Sequence, residues 1–210
     1  MDEQSKRRKW RRWLALVTSE WQHLQEERQL YAELREHIAG KSEWVVWIDT
    51  LYLIGVSLAI RRLADANPRH RTVSLVKLLR EMEMHPNCLS RRSALQQAKP
   101  TQRAKVHLLF DQLAGEGATS VSPVTIRRMR EEFEQLTAPF RAWVDHCVAH
   151  HDLAVSLPAP DRTQVEEALV KLQRILETLW MLLCGGDVPE QCCAPQQHGS
   201  KKTLLNSRGG

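Results

Sequence analysis

The stretch Trp10-Arg11-Arg12-Trp13-Leu14-Ala15-Leu16-Val17-Thr18-Ser19-Glu20-Trp21-Gln22-His23-Leu24 decides the fold class. Trp10, Trp13, Leu14, Val17, Trp21 and Leu24 recur at steps of three and four, which lines them along one stripe of a helix and leaves the charged side chains on the opposite face. The spacing predicts a long first helix over 5–39. The basic-aromatic run Lys6 to Trp13 can be read as an RNA-binding or membrane-surface arm, but its Trp spacing continues smoothly into the apolar stripe, which favours a core helix with a solvated basic face.

Composition points the same way. A chain of 210 residues with 42% apolar content can bury one sizeable core. Only nine glycines, and Ala-, Leu-, Glu- and Arg-rich stretches with few β-branched runs, favour helices. The expectation is an all-α domain over 1–185 followed by a disordered tail over 186–210, rich in Pro, Gln, Gly, Ser and Lys. Five cysteines, Cys88, Cys147, Cys184, Cys192 and Cys193, are odd in number and lack metal-finger spacing. They argue against a disulfide framework or a structural zinc site and fit a reducing, cytoplasmic location. No apolar core of signal-peptide length follows the basic run. The most apolar stretch, Val45 to Ile60, is shorter than the roughly 20 residues of a membrane span and contains Asp49. A net charge of +5 and a pI near 9.1 are compatible with a nucleic-acid partner.

Further helices follow from their boundary signals. Gly40 is a stop and Ser42 an N-cap for a second helix through Glu43 to about Ala66, apolar on most sides and therefore expected at the centre of the bundle. Arg62 and Asp65, three apart at its end, are expected to pair, and Asp49 within it needs a partner. Thr72 or Ser74 caps a short third helix ending before His85-Pro86, and a helical turn is expected around Ser90 to Gln97. Residues 101–114 form another helix, stopped by Gly115 and Gly117. Ser122-Pro123 opens the next, with Pro139 expected to kink or break it near Ala138 before it resumes at Phe140. Thr163 and Glu166 form a capping-box pattern for a last helix closed by Gly185.

The densest chemistry lies in Phe140-Arg141-Ala142-Trp143-Val144-Asp145-His146-Cys147-Val148-Ala149-His150-His151-Asp152. This run resembles the C-terminal motif of HEPN domains of the abortive-infection U type, in which an Arg and an Asp or Asn precede Ala-His and then Asp. Arg62-Leu63-Ala64-Asp65, followed by a polar turn and Ser74-Leu75, is similar to the same family's Arg-Leu-x-Asp signature. The resemblance covers roughly residues 10–183. It implies a HEPN-like helical bundle, a homodimer and, in active members, a metal-independent ribonuclease of toxin or anti-phage systems, with RNA as substrate and an antitoxin or other protein as partner. No cofactor or metal is implied.

Within that resemblance His150 is the proton-transfer group, Asp145 and Asp152 are orienting carboxylates, and Arg141 or Arg62 is the phosphate-binding cation. The arginine of active members falls at Val144, a departure that removes a positive charge. Nine residues of unbroken helix turn through about 900°, so Arg141 lies opposite His150, while His146 lies one turn from His150 and Arg141 one turn from Asp145. The internal pairings expected are thus His146 with His150 and Arg141 with Asp145. His146 and His150 alone are a weak metal pair. Three readings follow: a HEPN-like ribonuclease, a HEPN-like module that binds RNA, nucleotide or protein without cleaving, and a helical adaptor.

Overall fold

The computed structural model describes residues 2–38, 42–149 and 157–189; the expected stop at Gly40 and most of the expected tail lie outside them. Among the described residues the chain is all-α: α1 (Glu3–His37), α2 (Ser42–Leu63), α3 (Leu75–Met84), α4 (Arg91–Gln97), α5 (Arg103–Ala114), α6 (Pro123–Trp143) and α7 (Arg162–Cys184). Single 3₁₀ turns precede α4 and α5, and a wide π turn, Val144–Val148, extends α6.

Asp2 starts α1 by accepting the backbone N–H of Ser5 at 2.7 Å. The predicted stripe then buries Trp10, Leu14, Val17 and Leu24. It packs on α7, whose Leu169, Leu172, Ile175, Leu176, Leu179 and Leu183 are all buried. A hydrogen bond from Trp180 Nε1 to Thr18 Oγ1, 2.8 Å, fixes the two helices in register. α6 lies most extensively against α3 and also contacts α2 and α7, so its Ile126, Phe133 and Phe140 complete the core.

The basic run at the start of α1 is not all solvated. Arg7 is buried and donates to the carbonyls of Cys88, Leu182 and Leu183, while Arg11 Nε reaches the Leu183 carbonyl at 2.9 Å. The Leu182 and Leu183 carbonyls belong to the last turn of α7, which leaves them without helical partners at its negative dipole end. Two guanidinium groups of the first helix thus cap the last one. Burial pushes the Arg7 pKa down, and Arg11 beside it adds to the effect.

α2 departs from its expected central place. Val56, Ala59, Ile60 and Leu63 in its second half are buried, but Trp44, Val46, Trp47 and Leu51 in its first half are exposed. The first half is tied to the end of α1: Tyr31 and Tyr52 stack with centroids 4.0 Å apart, and Asp49 accepts from Tyr31 Oη at 2.9 Å and Arg35 Nε at 2.8 Å. Asp49 therefore has the partners it required, at the side of the bundle rather than within it. Counted from Glu43 to Leu63, α2 is long and apolar enough to cross a membrane by length and composition, longer than the Val45–Ile60 run suggests.

Two helix signals shift. The capping box of α7 is Asp161 with Gln164, each donating a backbone N–H to the other's side chain at 2.8 Å, two residues before the Thr163–Glu166 pattern. α6 runs through Pro139 without the expected break. Side-chain donors serve the turn that the proline disturbs: Thr137 Oγ1 donates to the Phe133 carbonyl at 2.7 Å and Arg141 Nη2 to that of Glu134 at 3.5 Å. Buried Phe133, Thr137 and Phe140 hold both sides of the proline in the core. The helix instead widens at Val144, whose carbonyl accepts from Ala149 N, five residues on, at 2.8 Å.

Gly185 ends α7 as predicted, at φ +68°. The glycine serves a second purpose, because a Cβ there would stand 2.5 Å from the backbone nitrogen of Ala98 at the end of α4. Beyond it, Asp187 accepts from Gln102 Nε2 at 2.8 Å and the Pro189 carbonyl from Gln22 Nε2 at 2.9 Å, so the first residues past α7 lie on the bundle.

Candidate functional site

The loop after α2 is built around one carboxylate. Asp65 accepts from the backbone N–H of Asn67 (3.0 Å), Thr72 Oγ1 (3.1 Å) and Lys77 Nζ (2.9 Å), and it meets His70 Nδ1 at 3.1 Å. Partial burial pushes its pKa up, but the hydrogen bonds from Lys77, Asn67, His70 and Thr72 outweigh that and hold it at about 2. Ser74 caps α3 by accepting from Lys77 N and donates its hydroxyl to the Asp65 carbonyl at 2.5 Å, so loop and helix start form one unit.

This unit closes one side of a cleft of about 400 Å³. Arg61 and Arg62 enter it from the end of α2, Glu20 with Leu16 and Val17 from α1, and His70 and Thr72 from the loop. The His70 ring sits between Asp65 at Nδ1 and the Asn67 side-chain amide, 3.2 Å from Nε2. The tautomer that satisfies both neighbours carries its proton on Nδ1 and offers Nε2 as acceptor, the arrangement of an imidazole oriented by a carboxylate.

The arginines do not pair as the sequence suggested. Arg62 bonds Glu20 of α1 and not Asp65, because Lys77, Thr72 and the Asn67 backbone occupy that carboxylate. Arg61 bonds Asp145 of the π turn, Nε to Oδ1 2.5 Å, and brings the C-terminal motif to the edge of the cleft. Asp145 is consequently taken from Arg141. The widened turn begins at Val144, between the two residues, so the one-turn spacing of an unbroken helix no longer applies. Arg141 is half-buried, its Nη2 turned back to the Glu134 carbonyl and its Nε buried without a hydrogen-bond partner. Val144 is buried, so the position that resembles the arginine of active HEPN domains faces the interior. His146 is exposed on the π turn. His150, His151 and Asp152, with the expected His146–His150 pairing, lie outside the described residues.

Sequence reasoning thus placed Arg62, Asp145 and His146 on the segments that meet here but missed Arg61, Glu20, His70 and Lys77. The signal for His70 was present: Asp65-Ala66-Asn67-Pro68 is a turn sequence, and an Asx turn folds the following residues back onto its own carboxylate. Among the described residues no group of three or more His, Cys, Asp or Glu is arranged to hold a metal ion. Among the described residues Cys88, Cys147 and Cys184 form no disulfide.

A second concave surface, about 800 Å³, lies between α4, α5 and residues 117–119. Arg91 is fixed there by Asp111 at 2.6 Å and the Ala118 carbonyl at 2.8 Å, while Arg92, Arg103 and His107 are exposed along it. It gathers positive charge from two elements, α4 and α5. No protein-family model, curated protein or solved structure matches the chain.

Proposed function

We propose that this protein acts on RNA as a HEPN-like toxin or anti-phage ribonuclease, seating the phosphodiester backbone in the cleft at the end of α2. The supporting observation is the convergence of Arg61, Arg62 and His70 on that cleft, joined through the Arg61–Asp145 pair to the turn that carries His146 and precedes His150. Cleavage by a 2′-hydroxyl needs a group that can take up and return a proton and a cation to hold charge on the phosphate. The histidines His70, His146 and His150 are of the first kind, the two guanidinium groups of the second. Glu20 and Asp145 hold those guanidinium groups ready, and a phosphate takes their place as ligand. Asp65 positions His70, and Asp145 positions Arg61.

A specific observation favours a second reading, an RNA-binding module without cleavage: Arg141 is turned to the Glu134 carbonyl and Val144 is buried. One experiment separates the two. Purified protein is incubated with single-stranded RNA in chelator, and binding and strand scission are followed together. Cleavage that disappears in His150→Ala or His70→Ala, with helicity retained, supports the ribonuclease. Binding without scission, weakened about tenfold or more by Arg62→Glu but not by Arg92→Glu, supports the module. RNA binding indifferent to Arg61 and Arg62 overturns both.

A further inference from the structure

The cavity between α4, α5 and residues 117–119 holds cations that the chain does not neutralise. Arg92 and Arg103 line it, both exposed, and among the described residues neither side chain has an ion pair or a hydrogen bond. By contrast Arg61, Arg62, Arg80, Arg127 and Arg130 each meet a carboxylate. His107, one turn after Arg103, adds an imidazole to the same wall, and no described carboxylate lines the cavity. A concave surface lined by one sign of charge concentrates counter-ions. Arg103 is also the first residue of α5, at the positive end of the helix dipole, where a cation costs stability. Helix formation therefore gives no reason for its place. The walls are preformed: Arg91, 15% exposed at its side chain, is committed to Asp111 and the Ala118 carbonyl and lies over the Phe110 ring, 5.5 Å from its centroid. The Arg91 backbone N–H donates to the Thr119 carbonyl at 2.8 Å and that of Val121 to the Leu89 carbonyl at 3.1 Å, which stitches residues 119–121 to the start of α4.

We infer that this cavity binds a small phosphate monoester, with its dianionic phosphate held by Arg92, Arg103 and His107 and its organic body against Leu95. Two unpaired guanidinium groups match a doubly charged phosphate better than the single charge on each internal phosphodiester of RNA, which sets this site apart from the cleft at the end of α2. The volume, about 800 Å³, is far larger than a phosphate ion needs and lies in the range of pockets that take small organic ligands. Half-buried Leu95 gives the cavity an apolar wall. Gln96, one turn after Arg92, supplies a neutral amide that both donates and accepts hydrogen bonds, suited to polar substituents on that organic body.

Isothermal titration of the full chain with phenyl phosphate, inorganic phosphate and 5′-phosphorylated single-stranded RNA tests this, with thermal melts of each variant alongside. Phenyl phosphate is expected to bind with a Kd below about 1 mM and about tenfold more tightly than inorganic phosphate, because only the ester brings an apolar body to Leu95. Arg92→Ala and Arg103→Ala should each weaken it by about tenfold or more, while Arg62→Ala leaves it unchanged. Without ligand, Arg103→Ala should melt no lower than wild type, a result that a merely structural role for this arginine would not give. Absence of phenyl phosphate binding overturns the inference, as does an affinity indifferent to both Arg92 and Arg103. Equal affinity for the ester and for inorganic phosphate reduces the site to an adventitious anion only and overturns it too. Loss of binding in Arg62→Ala moves the ligand to the α2 cleft, and binding of the phosphorylated RNA end through Arg92 and Arg103 without phenyl phosphate overturns the small ligand in favour of RNA.

Discussion

Single side chains tie this bundle together where helix propensity gives no hold. Asp65 is the clearest case: Lys77, 13% exposed at its side chain, has this one carboxylate and the carbonyls of His70 and Thr72 as partners. Removing the carboxylate leaves the ammonium group without its counter-charge, so Asp65→Ala is expected to cost about 2–4 kcal/mol in a urea melt. The folded-state pKa of about 2 lies below the ordinary 3.8, so the contribution of Asp65 is complete above about pH 4 and disappears as pH falls toward 2. Wild type and Asp65→Asn should therefore converge in stability at the acid end of a pH series. Arg7 is a second such residue, and Arg7→Met keeps the apolar stem while stripping the α7 carbonyls of a charged donor. Its expected cost is about 2–3 kcal/mol, read as a lowered thermal midpoint.

At the scale of elements, the termini of helices were legible because their signals are local. Ser74, Ser122 and Gly185 each act within four residues of their position, and each does in the structure what its neighbours in sequence demand. The ion pairs were not legible, because a partner such as Asp145 for Arg61 is chosen by the packing of distant helices and by a π turn with no sequence signature of its own. The central place expected for α2 failed for a related reason: apolar content says that a helix has faces to bury, not how many of them the bundle reaches. Two substitutions test element ends and interiors. Gly185→Ala combines a left-handed backbone with overlap on Ala98 and is expected to destabilise by about 2–4 kcal/mol in chemical denaturation. Pro139→Ala restores the N–H that the Gln135 carbonyl lacks in a helix that continues on both sides of it, and a gain of about 1–3 kcal/mol should appear as a raised thermal midpoint.

For the whole molecule, charge is distributed in pairs more than in fields. Arg127 and Arg130 converge on Glu83, Arg130 also bonds Glu134, and Arg80 reaches that same carboxylate, a network that staples α3 to α6. Burial raises the Glu83 pKa, but the bonds from Arg127 and Arg130 outweigh it and the group is held below the usual carboxylate range. The exposed members of such a network weaken with salt. RNA bound through Arg61 and Arg62 should weaken with salt as well, and Arg62→Ala should lower the slope of log affinity against log salt by about 1, measurable by fluorescence anisotropy.

The capping of α7 by Arg7 and Arg11 has a consequence for how the molecule is made. Those guanidinium groups leave the ribosome long before their α7 carbonyl partners, which follow 172 to 176 positions later. Vectorial synthesis therefore cannot close the bundle stepwise from its beginning. Nascent chains arrested before Leu183 should expose the Trp10–Leu14 stripe to protease, and full protection should arrive only with the final helix.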